Sequence, residues 1–168
     1  MESGGIHFIV EADIRGFFDN VEHEWLMKFL GHRNGDKRVM RYMQRFLKAG
    51  VFEVGGIAAT EQGTPQGGVI SPLLANIYLH YSLDLWYTRV FSRTCAGRSR
   101  LIRYAGGFVV CFQQGSDAQR FRMELEQRLG LFGLEVAAEK TKVLESGPFA
   151  ASRAKQEARS PRPLIFWG

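Results

Sequence analysis

Asp13 closes a short run of β-branched and aromatic residues, where a strand would deliver a carboxylate to its tip. Carboxylate oxygens are the donors that hard cations such as Mg²⁺ take. A strand-end aspartate serves equally as a turn acid. Three further stretches carry groups able to do chemistry. Gly63-Thr64-Pro65-Gln66-Gly67-Gly68 is a loop by composition, and its glycines permit close approach of backbone to another molecule. Ala105-Gly106-Gly107 separates two strand-like runs and holds no ionisable side chain. Lys140 and Lys142 offer cations later in the chain. The histidines His7, His23, His32 and His80 lack metal-ligand spacing, and no nucleophile–base pair stands out, which argues against a hydrolase. Cys95 and Cys111 are too few and too isolated for a disulfide framework or a zinc site, and they read as reduced thiols of a cytoplasmic protein.

The elements that must position these groups follow from periodicity. Residues 6–13 predict a strand, with Phe8, Val10 and Ala12 on one face and Ile9, Glu11 and Asp13 on the other. Trp25, Leu26, Phe29 and Leu30 form a helical stripe over 23–31, capped by Asp19 or Asn20. A second stripe, Val39, Met40, Met43, Phe46 and Leu47, follows Asp36 as cap. Its polar side carries Lys37, Arg38, Arg41, Arg45 and Lys48, a solvated face by default and a nucleic-acid contact by alternative. Residues 51–60 predict a hairpin broken at Gly55-Gly56. Ser71-Pro72 opens a long helix, Ser as cap and Pro at the first helical position, with Leu73, Leu74, Ile77, Tyr78, Tyr81 and Leu85 as core.

Residues 101–104 and 108–112 predict a hairpin with a Gly-Gly turn. Ser116 and Gln119 predict a capping box for a helix whose stripe is Ala118, Phe121, Leu125, Leu129 and Phe132. Residues 134–136 and 142–145 read as short strands, 146–163 as a basic loop, and 164–167 as the start of one more strand. Helices interrupt antiparallel-type strands without alternating one for one. The expected class is α+β, an antiparallel sheet with helices packed on one face.

Length and charge narrow the partners. A chain of 168 residues is one domain's worth and buries roughly 70% of its unfolded surface. Lys and Arg number 22 against 17 Asp and Glu, so the excess admits an anionic partner such as nucleic acid. Composition excludes collagen, a disulfide scaffold and an acidic disordered tail. Residues 1–5 read as a flexible segment without the features of a secretory signal. No stretch approaches the ~20 apolar residues of a membrane span, so no membrane partner is expected.

Taken in order, the motifs resemble one family. Glu11-Ala12-Asp13-Ile14-Arg15-Gly16-Phe17-Phe18-Asp19 resembles the first palm motif of reverse transcriptases of the group II intron class. The stretch from Gly63-Thr64-Pro65-Gln66-Gly67-Gly68 through Ser71-Pro72-Leu73-Leu74-Ala75-Asn76 resembles the second nearly letter for letter. Arg103-Tyr104-Ala105-Gly106-Gly107-Phe108 stands in place of the third, Tyr-Ala-Asp-Asp. Gly133-Leu134-Glu135 and Glu139-Lys140-Thr141-Lys142 resemble the fourth, and Ile165-Phe166-Trp167-Gly168 the opening of the primer-grip hairpin.

The resemblance implies a polymerase palm over 6–168, truncated at the primer-grip hairpin, with fingers and thumb absent. It implies RNA-directed DNA polymerase chemistry, with RNA template, DNA primer, intron RNA and deoxynucleoside triphosphates as partners. Two Mg²⁺ ions about 3.5–4 Å apart would be the cofactor. Asp13 matches one carboxylate ligand, and the backbone carbonyl of Ile14 a further one. Gly106 and Gly107 match the other two carboxylates. Lys140 would lie near the triphosphate, with Lys142 as a neighbouring candidate. Phe18 matches the aromatic that packs under the nucleotide sugar and excludes a 2′-hydroxyl; core packing is its alternative role. Gly63, Thr64, Pro65, Gln66, Gly67, Gly68 and Tyr104 would contact nucleotide or template.

The departures set the functional expectation. Glycine has no side chain with which to hold a cation, and Asp13 alone cannot assemble a two-metal site. The resemblance therefore implies a catalytically dead palm. The alternative is a non-catalytic, RNA-binding maturase-like or scaffold module, which the basic segments 37–48, 89–103 and 153–162 favour. A viral RNA-dependent RNA polymerase shares the palm logic, but Phe18 and the Pro-Gln-Gly loop argue against it.

Overall fold

Extended Phe8–Ala12, with β-branched Ile9 and Val10, forms β1, an interior strand of the sheet with a partner on each side. After Asp13 the chain resumes a short extended segment, β2 (Ile14–Arg15), then turns through Gly16 at φ 51°, a left-handed conformation that glycine adopts without strain. The computed structural model describes residues 5–48, 52–53, 56–57, 70–104 and 106–146. The Gly63–Gly68 loop and the 147–168 tail lie outside the described residues.

Two helices follow, α1 (His23–Gly31) and α2 (Lys37–Lys48), with the bounds their apolar stripes predict. Asp36 caps α2 as expected, its Oδ1 accepting from the Arg38 amide at 2.8 Å. For α1 the expected cap is wrong. Glu22 occupies the cap position, while Asn20 Nδ2 donates instead to the carbonyls of Arg15 and Gly16. Short strands β3 (Phe52–Glu53) and β4 (Gly56–Ile57) pair as the predicted hairpin.

Helix α3 (Ser71–Leu79) starts at Ser71 itself, with Ile70 before it, so Ser71 is not the cap. Its Pro72 sits in the first turn, where a missing N–H costs nothing, and Leu73, expected in the core, is exposed because the buried stripe runs through Leu74 and Tyr78. The predicted long helix continues, but with wider-wound π turns over His80–Asp84 and Tyr87–Phe91, ending in a 3-10 turn at Ser92–Thr94. Strands β5 (Ser99–Tyr104) and β6 (Gly107–Phe112) form the second hairpin. Here the register corrects the sequence reading. Tyr104 pairs with Gly107, so Gly107 belongs to the strand and not to the turn.

Helix α4 (Gly115–Gly130) begins one residue before Ser116, with Gln114 extended at the cap position, so the expected capping box does not form. Strands β7 (Glu135–Val136) and β8 (Lys142–Glu145) complete the described fold. The main sheet runs β5-β6-β1-β8, antiparallel throughout, and β2 pairs with β7 beside it.

One face of this sheet is the core. Val10, Ala12, Phe108, Val110 and Phe112 are buried there, and α4 lays Ala118, Phe121, Leu125 and Leu129 against them. Their i, i+3, i+4 spacing keeps these side chains on one stripe. Phe121 stands at the centre of an aromatic cluster, with ring centroids 5.1 Å from Phe91 and 5.5 Å from Phe112. Burying such a ring contributes about 1.5–3 kcal/mol. On the α3 side, Tyr78 is fully buried and its hydroxyl donates to the Phe132 carbonyl at 2.7 Å. Burial also raises its pKa, so it stays a donor at any working pH.

Candidate active site

Pairing of Ala12 with Phe108 decides where the site is. One residue beyond that pair lie Asp13 on one strand and Gly107 on the other, at the hairpin end of the sheet. The order of the motifs therefore becomes a spatial cluster: the strand-end acid meets the glycine hairpin.

Asp13 is held on three atoms. Its Oδ1 accepts from the Ile14 amide at 3.0 Å, and its Oδ2 accepts from Lys140 Nζ at 3.1 Å. Its backbone carbonyl accepts from the Ala137 amide at 2.9 Å. Lys140 reaches it from the tight turn between β7 and β8, where the Lys140 amide and the Thr141 hydroxyl both donate to the Ala137 carbonyl, at 3.0 and 2.8 Å. The side chains of Lys140 and Asp13 are 44% and 30% exposed, so solvent reaches the pair. Ile14 is buried in β2 opposite Val136.

A second charged bridge ties the same two segments. The Arg15 guanidinium donates to Glu135 at 2.9 Å and to Glu139 at 2.8 Å. The two carboxylates raise the Arg15 pKa, the hydrogen bond it donates to Glu139 first. Glu139 is held below the usual carboxylate range by its own backbone amide and then by Arg15.

The hairpin is anchored from behind. Arg103 Nε and Nη2 reach the two oxygens of Asp84 at 3.0 Å each, and Nη1 reaches Asn76 Oδ1 at 2.7 Å. Asn76 lies on α3 and Asp84 on the π turn that follows, so the helix opened by Ser71-Pro72 holds β5 in place. Tyr104, the next residue, is 89% exposed beside the turn. Sequence reasoning missed Asp84 altogether: the stripe recorded its apolar neighbours, and nothing local links position 84 to position 103.

Across residues 1–160 the sequence matches the family model described as reverse transcriptase (RNA-dependent DNA polymerase). The chain belongs to the reverse transcriptase family. Over 79 residues it is 47% identical to the group II intron-encoded protein LtrA of Lactococcus lactis subsp. cremoris, covering 47% of this chain and 13% of LtrA. The fold is shared with telomerase. The apo enzyme of Candida tropicalis, truncated from its C-terminal domain, superposes with a TM-score of 0.66 at 13% identity, over 85% of this chain and 32% of that one. Telomerase of Candida albicans in complex with the TWJ fragment of telomeric RNA gives 0.64 at 14% identity, over 83% and 27%. The sheet with helices on one face is thus a polymerase palm, and the chain spans only a small part of the length of these relatives.

Reverse transcriptases as a family imply a divalent metal, and the residues here do not fit one. Among the described residues no three His, Cys, Asp or Glu side chains come together. Glu11 is the nearest acid along β1, but it sits two residues back, between Val109 and Lys142 of the neighbouring strands. At the hairpin, Gly106 and Gly107 offer no donor side chain. Neither glycine is demanded by the backbone: only Gly16 and Gly133 have positive φ among the described residues. A Cβ at Gly106 would meet nothing within 4 Å, and one at Gly107 would meet only the Tyr104 carbonyl, at 3.9 Å. The reverse-transcriptase hairpin would accept side chains that this sequence does not supply.

Phe18 is half-buried and meets Phe17 edge to face, with centroids 5.4 Å apart; Phe17 in turn is buried against Tyr78. Phe18 therefore packs on the core rim with part of its ring exposed, which accommodates both roles expected of it.

Proposed function

We propose that residues 6–168 are the palm of a group II intron type reverse transcriptase that has lost nucleotidyl transfer. The carrying observation is the pair Gly106 and Gly107 beside Asp13, where two-metal chemistry requires carboxylates. Asp13 matches the remaining carboxylate, with Lys140 on its Oδ2 and Tyr104 opposite Gly107 on the hairpin. RNA as the template is supported by the identity to LtrA and by the likeness to a telomerase solved with an RNA fragment. DNA primer, deoxynucleoside triphosphates and Mg²⁺ belong to the same reading as the ligands of the ancestral reaction.

Primer extension on an RNA template with Mg²⁺ tests this. The unmodified chain is expected to add no nucleotide, and so is Gly106→Asp or Gly107→Asp singly. Sustained, template-directed synthesis by the unmodified chain sinks the proposal.

A second reading, an RNA-binding module without catalysis, is favoured by α2. Lys37, Arg38, Arg41, Arg45 and Lys48 are all exposed there, with no acid on the helix. Binding to structured RNA should weaken steeply with salt as counterion release fades. Affinity equal to that for an unrelated polyanion at the same salt would count against this reading.

A further inference from the structure

We propose that the Lys140 ammonium is the resident cation of this palm: it occupies the Asp13 carboxylate in place of a divalent ion and renders the centre refractory to metal. The inference rests on reading the site as a palm, but not on whether the chain polymerises.

Three observations carry it. Both Asp13 oxygens already take a donor from the chain, Oδ1 from the Ile14 amide and Oδ2 from Lys140 Nζ. A metal at Oδ2 must displace the ammonium, and the single carboxylate it gains leaves most of a six-fold Mg²⁺ shell to water. The turn that presents Lys140 is fixed independently of the ion pair, by the Ala137 carbonyl and by the Arg15 bridge to Glu135 and Glu139. The ammonium is therefore delivered to Asp13 by backbone geometry and not drawn across a gap. Finally, Gly106 and Gly107 add no anion beside Asp13 that a divalent ion would be needed to neutralise. The same centre with three carboxylates would be left strongly negative by a single lysine.

Mn²⁺ is the probe, read as paramagnetic broadening of assigned amide resonances in the full chain. In the unmodified protein the amides of Asp13, Ile14, Gly106 and Gly107 should broaden no more than that of Asp36, an exposed acid remote from the hairpin. Saturable broadening centred on Asp13 at millimolar Mn²⁺ overturns the proposal. Lys140→Gln should raise broadening at Asp13 and Ile14 by about two- to fivefold, the weight of an exposed ion pair. Lys140→Arg, which keeps the charge, should leave it at background. Equal broadening in Lys140→Gln and the unmodified chain also overturns the proposal. Primer extension reports separately: synthesis by the unmodified chain defeats the functional reading, whereas metal binding without synthesis defeats only this one.

Discussion

Arg103 grips Asp84 through two parallel hydrogen bonds of 3.0 Å, joining the strand that leads into the glycine hairpin to the π turn behind it. The Arg103 side chain is only 14% exposed, so the pair is shielded more than most surface ion pairs. Arg103→Ala leaves the Asp84 carboxylate half-buried and should cost about 2 kcal/mol. Arg103→Lys keeps the charge but not the fork, and should recover less than half of that loss. Urea unfolding gives both values, and faster amide exchange at Tyr104 and Gly107 should accompany them.

Gly133 turns the chain from α4 into β7 at φ 68°, and a Cβ there would run into the Glu22 carboxylate. Gly133→Ala should lose about 1–2 kcal/mol from the left-handed backbone alone. Removing the obstacle with Glu22→Ala should relieve the crowding but not the backbone cost. Thermal denaturation of the single and double variants separates the two.

Acid should loosen the clasp between β2 and β7. Glu139 has its folded pKa depressed, so its contribution to stability is full above the unfolded value of about 4.3 and is lost as pH falls through the lower folded value. The stability difference between the parent and Glu139→Gln should therefore be constant near neutrality and shrink below about pH 4. A difference that grew on acidification would contradict the assignment.

Phe121 sits among Trp86, Tyr87, Phe91 and Phe112, fully buried. Phe121→Ala should cost about 3–5 kcal/mol, measured by denaturant unfolding, because the surrounding rings cannot collapse into the gap.

Burial raises the pKa of both thiols, Cys95 and Cys111. Iodoacetamide should label these partly buried thiols at neutral pH more slowly than a peptide cysteine, with urea restoring the rate. Equal rates in the native and unfolded chain would disprove the burial argument.

The helices α1 and α2 were legible to the residue because an apolar stripe is a local signal. Their capping was less so. Asn20 and Ser116 are good cap types, but α1 begins later than Asn20 would set it, after Glu22, and α4 earlier than Ser116 would, after Gln114. The Gly-Gly turn failed for a different reason. Turn length in a hairpin is set by which residues pair across it, and Tyr104 opposite Gly107 is a property of two strands together. The site itself was readable only through the order of its motifs. Asp13 and Gly107 are far apart in sequence, and nothing near either one indicates the other. Arg103–Asp84 and Lys140–Asp13 are contacts of the same long-range kind, without a local pattern to announce them.

The open space around Gly106 has a consequence beyond chemistry. A position whose side chain would touch nothing adds no packing and relieves no clash, so folding is close to indifferent to what stands there. Selection for a well-folded protein acts through stability and would not distinguish an acid from a glycine at this turn. Chaperones and proteases would treat both versions alike. On the proposed reading, a palm without these carboxylates would fold as well as one that has them, and its upkeep would not distinguish the two.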